Sequence, residues 1–512
     1  MKKKIYLLSL VAMSFAFTGA LTSCSEDDLQ IESPNDIKQE NFYKTEEDFE
    51  MAIRGVYNDF RTNGLFGNTG QARDIVILGD LMSDNLIFSP YGRGGGFTAS
   101  EWRYQGNSNV TELYENAYKA VSDANKILSV INNLPESSTV KPKVKAEALA
   151  LRALAHFEVA KLFAKIPTQA SGAANSQGIA YISELNFKDE PKREANIGIV
   201  YDKIIKDLED ALAGGLPNGG YAANPTGNTI YRLNKLSVRG LLAKVYLYKG
   251  DYPKVIEYAT PVVDAIKPTD KADLDKFWKT ETNQGALFVL PFARTNDIQL
   301  GTNYSQGLSA NTLRVEFTVD KAFVGTFDQA TEPERYNASI VKMVQNQYDG
   351  AGPVYAVKKY MYSRTGYNAG VNDGRYLRVE DVILMLAEAQ YMSGNQSGAL
   401  TTLNKLRDAR YTAYTGGETG DALFEAIITE RRKELAFEVG DRFFTLKRLL
   451  GVPGIPVKYA QGIQRSGNGH YADGTGSPSA TQQLPASSVK WQLPVRQSIL
   501  NLDKNIGQTD GY

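Results

Sequence analysis

The feature that most constrains this chain is a helix, a glycine turn and a second helix sharing one apolar seam, clearest in LLAKVYLYKGDYPKVIEYATPVV, Leu241 to Val263. Leu241, Val245, Tyr248 and Tyr252 fall at helical spacing, Gly250-Asp251 makes the turn, and Val255, Ile256 and Ala259 begin the return face. So short a connection forces the two helices antiparallel, and small residues at the contact let them pack closely. One such pair cannot bury both of its faces, so it needs neighbours of the same kind.

The chain supplies them. VILMLAEAQYMSGNQSGALTTLNKLRDAR, Val382 to Arg410, places Ala387, Gly394, Ala399, Leu403 and Leu406 in matching roles. A looser copy pairs Val144–Ala164 with Ile199–Leu212, and its first helix is apolar so far around that it must be buried. A fourth pairs Glu46–Phe60 with Thr111–Leu134. The expected fold is therefore mainly α, a tetratricopeptide-like helical-repeat scaffold of about four helix pairs, stacked as a right-handed solenoid. The stretches 61–109, 265–371 and 451–490 do not repeat and hold much of the Gly, Asn, Pro and Tyr. They predict an irregular loop-rich layer with a few short strands, among them Ala286–Ala293 and Val354–Ser363. Loops carried on a rigid scaffold are where binding residues usually sit.

The N-terminus lies outside this pattern. Lys2, Lys3 and Lys4 precede an apolar run from Ile5 to Leu21 that stops at Thr22-Ser23-Cys24, which reads as a secretory signal over residues 1–23. Later in the chain no stretch approaches the ~20 apolar residues of a spanning helix. Cys24 is the only cysteine of 512 residues, so an exported chain of this kind has no disulfide framework. Leu21-Thr22-Ser23-Cys24 resembles the bacterial lipobox, which implies a lipidated Cys24, a tether over 24–40 and a single domain over 41–512. Each buried acyl CH₂ contributes about 0.8 kcal/mol, so several chains on Cys24 anchor the protein firmly. Removing residues 1–23 takes three lysines and no acid from 57 basic and 58 acidic residues, leaving a net of about −4. That balance steers the chain to no nucleic acid.

Five further motifs carry a resemblance over nearly the whole mature chain. They are NFYKTEEDFEMAIRGVYNDF (41–60), KAEALALRALAHFEVAKLFAKIPT (145–168), GRYLRVEDVILMLAEAQ (374–390), ITERRKELAFEVGDRFFTLKRLL (428–450) and the tail WQLPVRQSILNLDKNIGQTDGY (491–512). Their order and spacing resemble the SusD/RagB family of outer-membrane nutrient-binding lipoproteins. Leu502-Asp503 stands where an Asn-Pro is common in that family, a small departure. The acidic Ser25-Glu26-Asp27-Asp28 resembles the surface-export signal of such lipoproteins. The resemblance implies a cell-surface, non-enzymatic protein that captures an oligosaccharide and passes it to a SusC-like TonB-dependent outer-membrane transporter. It implies no cofactor, and a calcium ion held by loop oxygens is the one metal the sequence leaves open.

Sugar capture needs aromatic faces with amide, carboxylate and guanidinium groups beside them. The loop DLMSDNLIFSPYGRGGGFTASEWRY, 80–104, offers Tyr91, Arg93, Trp102 and Tyr104, with Gly92–Gly96 expected to give it mobility. A second wall is expected from Trp278 with Asn303 and Tyr304. Trp491, inside the C-terminal motif, reads as core. His156 and His470 are the only histidines, which disfavours a His-based metal site or a triad. Arg431, Arg432, Glu434, Glu438 and Arg442 read as a structural network, with Glu438 and Arg442 an i,i+4 pair on one helix. Two other functions remain open at this level: a glycoside hydrolase, for which Asp80 and Asp84 are the first carboxylate pair to consider, and a peptide- or protein-binding helical adaptor.

Overall fold

A computed structural model describes residues 42–61, 65–66, 74–185, 190–219, 229–308, 313–363 and 365–512. Cys24 and the signal lie outside these residues. Among the described residues, ten helices build the scaffold: α1 (Glu46–Arg61), α2 (Leu113–Val130), α3 (Val140–Phe163), α4 (Ile197–Ala213), α5 (Lys235–Lys249), α6 (Tyr252–Ala265), α7 (Val379–Met392), α8 (Gln396–Asp408), α9 (Gly420–Leu435) and α10 (Asp441–Leu449). Each of α1 to α8 packs on the next, and α9 adds to α7.

Local chemistry explains the sharp turns. Asn234 and Ser237 form a reciprocal capping box at the start of α5. Gly250, at φ +83°, ends that helix, and the Asp251 side chain accepts from Lys254 N at 3.3 Å to start α6. Gly394, also at φ +83°, and Asn395 repeat the device between α7 and α8. α3 is buried on nearly all sides, as its all-round apolar pattern requires. Its unpaired C-terminal carbonyls are taken up from far along the chain. Lys447 Nζ on α10 donates to Lys161 O (2.7 Å) and Ala164 O (2.9 Å), and Leu493 N donates to Leu162 O (2.8 Å).

Among the described residues, ten short strands make five two-stranded antiparallel sheets. They are β1 (Leu86–Phe88) with β5 (Phe317–Val319), β2 (Ala286–Leu290) with β8 (Gly374–Arg378), β3 (Ser305–Gln306) with β4 (Arg314–Val315), β6 (Ile340–Met343) with β7 (Val354–Val357), and β9 (Gly462–Gln464) with β10 (Gln483–Pro485). All but β8 fall in the three non-repeating stretches. β8 opens the 374–390 motif, directly ahead of α7; it is buried on both faces, and a side chain at Gly374 would meet the Phe66 ring at 2.7 Å. The segment 111–134 also differs from a single helix, since 3₁₀ turns over Asn109–Glu112 and Ile131–Asn133 flank α2.

Glu438 and Arg442 do not form an i,i+4 pair on one helix. The chain leaves the helix after Leu435, with Phe437, Val439 and Gly440 all at positive φ. Gly440 crosses Gly79 so closely that a Cβ on Gly79 would sit 2.4 Å from Gly440 Cα. The break turns Glu438 toward Arg378 and Lys359, and sends Arg442 to a bidentate pair with Asp84 at 2.7 and 2.8 Å. The cluster is a structural network that ties α9 and α10 to the scaffold, through Arg431 with Asp381, and also to the loop layer, through Arg432 and Arg442 with Asp84. Trp491 is core, stacked on Phe443 at 5.1 Å between centroids, with Nε1 donating to Pro485 O at 2.9 Å.

Candidate functional site

Five of the seven loop candidates are interior residues here. Trp102 is 4% exposed: its Nε1 donates to Met82 O at 2.9 Å and the Arg465 guanidinium lies over its ring at 3.9 Å. Tyr104 is fully buried and donates to Lys490 O. Trp278, 5% exposed, is wedged between Phe277 and Tyr360, each 5.3 Å away, with Lys359 and Arg375 against its ring. Asn303 donates to Asp74 at 3.0 Å, and the buried Tyr304 hydroxyl lies between Val76 O (3.2 Å), Phe437 O (3.3 Å) and Asp80 (3.4 Å). None of the five offers a face to a sugar in this arrangement, because segments remote in sequence cover each of them.

Tyr91 and Arg93 remain accessible, and the strands bring partners to them. Pairing of β1 with β5 sets Ser89 N on Glu316 O at 2.9 Å, which delivers the following turn to the Glu316 side chain. Arg93 pairs with both Glu316 oxygens and donates to Thr302 O at 2.9 Å. The β3–β4 register sets Gln306 opposite Arg314. With its amide oriented to satisfy its neighbours, Gln306 accepts from Arg93 at 2.7 and 2.8 Å and donates to Tyr348 Oη at 3.2 Å. Asn346 holds that third loop in place by exchanging two hydrogen bonds with the Val315 backbone, at 3.0 and 2.9 Å. Tyr348 then donates to Glu316 at 2.7 Å, and the exposed Arg314 lies over its ring at 5.9 Å. Burial, and then the Glu316 carboxylate, push the Tyr348 hydroxyl up, so it stays a protonated donor at neutral pH.

A fourth loop completes the surface. Tyr471 donates to Asp349 at 3.0 Å, and its neighbour His470 meets the Tyr91 ring edge-on at 5.9 Å. Ser477 N donates to His470 Nδ1 at 2.9 Å, and the buried Nε2 of that ring has no partner among the described residues. Tyr91 is 49% exposed, while Tyr348 and Tyr471 are half-buried. The result is three tyrosines from separate loops around a guanidinium–carboxylate–amide network. Sequence reading missed Gln306, Arg314, Glu316, Tyr348 and Tyr471; the only local signal was the tyrosine- and asparagine-rich character of their loops.

The carboxylates considered for hydrolysis are placed otherwise. Asp80 is fully buried, and that burial raises its pKa to about 8. Burial would raise Asp84 as well, but Arg432 and Arg442 outweigh it and hold Asp84 below the usual carboxylate range. His156 is also interior: burial lowers its pKa to about 3, its Nε2 accepts from Ile182 N at 3.0 Å, and it stacks on Tyr181 at 4.0 Å.

Comparison with known proteins adds two family matches. Residues 82–247 match a family described as starch-binding associating with outer membrane, and residues 301–512 match the SusD family. The curated SusD-like protein P2 of Formosa agariphila is 25% identical, over 87% of this chain and 91% of its own length. Among solved structures, a SusD superfamily protein from Bacteroides thetaiotaomicron superposes with a TM-score of 0.75 at 20% identity, covering 91% of this chain and 99% of its own. A SusD-like carbohydrate binding protein from Bacteroides vulgatus gives 0.71 at 19% identity, covering 90% and 97%.

Proposed function

This chain belongs to the SusD/RagB family, and on that premise we propose that it is a cell-surface lipoprotein that captures an oligosaccharide without cleaving it and hands it to a SusC-like TonB-dependent transporter in the outer membrane. The observation that carries the reading is the convergence of Tyr91, Tyr348 and Tyr471 on the Arg93–Glu316–Gln306 network. Tyrosine faces match the C–H faces of sugar rings, and fixed charged and amide groups match ring hydroxyls. Sealed Asp80 and doubly paired Asp84 support a non-catalytic role, since a glycosidase acid must reach its substrate. Family membership supports the outer-membrane setting and the transporter partner. Among the described residues, no helix is long and apolar enough to cross a membrane, and lipid on Cys24 would supply the attachment.

Once a glycan array has identified a hit, Tyr91→Ala should weaken its binding to the full chain by about 1–3 kcal/mol, a factor of roughly 5 to 150. Its melting should stay within about 0.5 kcal/mol of the parent, because the side chain is half exposed. Undiminished affinity in both Tyr91→Ala and Tyr348→Phe, read by calorimetric titration, would remove this surface from the function. Cys24→Ala should leave the fold intact and move the protein from the membrane to the soluble fraction. Retention on membranes of cells lacking the transporter would rule out the lipid anchor.

A further inference from the structure

A concavity away from that surface lies between α1 and the segment that follows β2. It encloses about 350 Å³ and is lined by Tyr57, Leu290 and Pro291 on its floor, with Arg54, Arg61, Arg232 and Arg294 around it. The acids beside it are already committed. Asp297 pairs with Arg61 and also accepts from Ile298 N at 2.9 Å. Glu50 takes Arg232 at 2.5 Å and Lys143 at 3.2 Å, and Glu147 takes Arg232 through both oxygens.

That leaves spare positive charge. Arg54 is exposed and only grazes Glu50 at 4.0 Å, and exposed Arg294 forms no ion pair among the described residues. The chain as a whole carries a formal charge of only −1, so this local excess is a feature of the cleft rather than of the composition. An apolar floor beside exposed, weakly engaged guanidinium groups fits a ring with one C–H face and one planar anionic substituent. The volume suits one or two pyranose rings rather than an extended macromolecule.

We propose that this cleft is a second ligand site, one that takes an acidic saccharide with its anionic group on Arg54 and Arg294 and its ring on the Tyr57–Pro291 floor. The kind of ligand rests on the glycan-binding reading above, while the charge preference rests on the cleft's own chemistry.

Calorimetric titration of the full chain in detergent with trigalacturonate, a 6-sulfated galactose disaccharide and a neutral galactose trimer tests it. At least one acidic probe should bind more tightly than the neutral trimer, with affinity falling as salt is raised. The Arg54→Ala/Arg294→Ala double variant should lose about tenfold or more of that affinity with unchanged melting, because neither side chain is buried. Tyr91→Ala should leave it intact. The two acidic probes together tell whether carboxylate or sulfate ester is preferred. Three outcomes overturn the proposal: no acidic probe bound above the neutral control, full affinity in the double variant, or acidic binding lost in Tyr91→Ala instead. Arginine-dependent acidic binding, together with undiminished affinity for the array hit in Tyr91→Ala and Tyr348→Phe, would sink the Tyr91 surface and keep this one.

Discussion

Glu434→Gln should lower the unfolding free energy by about 3–5 kcal/mol, the cost of stranding buried charge. Glu434 receives Arg410 through Nε and Nη2 at 2.8 Å each, Arg378 Nη1 at 2.6 Å and Arg335 Nη1 at 3.4 Å, and all four side chains are buried. Glutamine keeps the shape and removes the charge, so three guanidinium groups share fewer acceptors. Arg335 comes from the loop layer, Arg378 from β8 and Arg410 from beyond α8, so the loss loosens the junction between layers. The pH dependence has a definite sign. Burial alone would raise the Glu434 pKa, but Arg410 and Arg378 outweigh it and hold it well below the usual value. Its contribution is therefore present above the unfolded-state pKa of about 4.3 and is lost as pH falls toward the depressed folded-state value. Denaturant melts of parent and variant should differ most near neutral pH and converge on acidification. A gap under about 1 kcal/mol at pH 7 would show that this network is not what joins the layers.

Trp278→Ala and Trp102→Ala should each cost about 3–5 kcal/mol, because each empties a packed site. Trp278 is enclosed by Phe277, Tyr360, Lys359 and Arg375, so its loss also strips a face from two cations. Trp102 supports Arg465, whose Nη2 donates to Ser100 O at 2.5 Å and whose Nη1 donates to Thr481 O at 2.9 Å, tying the C-terminal loops to this turn. A sugar platform behaves in the opposite way, losing affinity while melting stays within about 0.5 kcal/mol. Urea melts read beside glycan titrations separate the two. Unchanged stability with lost binding in either variant would return that indole to the ligand surface.

How far the sequence could be read followed from how local each signal is. Gly250-Asp251 and Gly394-Asn395 terminate and restart helices through hydrogen bonds within a few residues, so the α5–α6 and α7–α8 pairs were legible directly. Val144–Ala164 revealed its burial through its own all-round apolarity. β8 and the break after Leu435 were not legible. The first depends on pairing with β2 from a distant segment, and the second on the crossing of Gly79 and Gly440.

The site divided along the same line. The chain by itself determined the family, the helical scaffold, the stretches that become loops, and Tyr91 and Arg93 as candidates, because periodicity, caps and motif order are written along one dimension. Tertiary structure alone decided that Trp102, Tyr104, Trp278, Asn303 and Tyr304 lie inside and that Tyr348 and Tyr471 join Tyr91 around a buried Glu316. The reason is physical: an aromatic side chain has the same composition whether it is covered or bare, and what covers it is set by segments hundreds of residues away, such as Arg465 over Trp102.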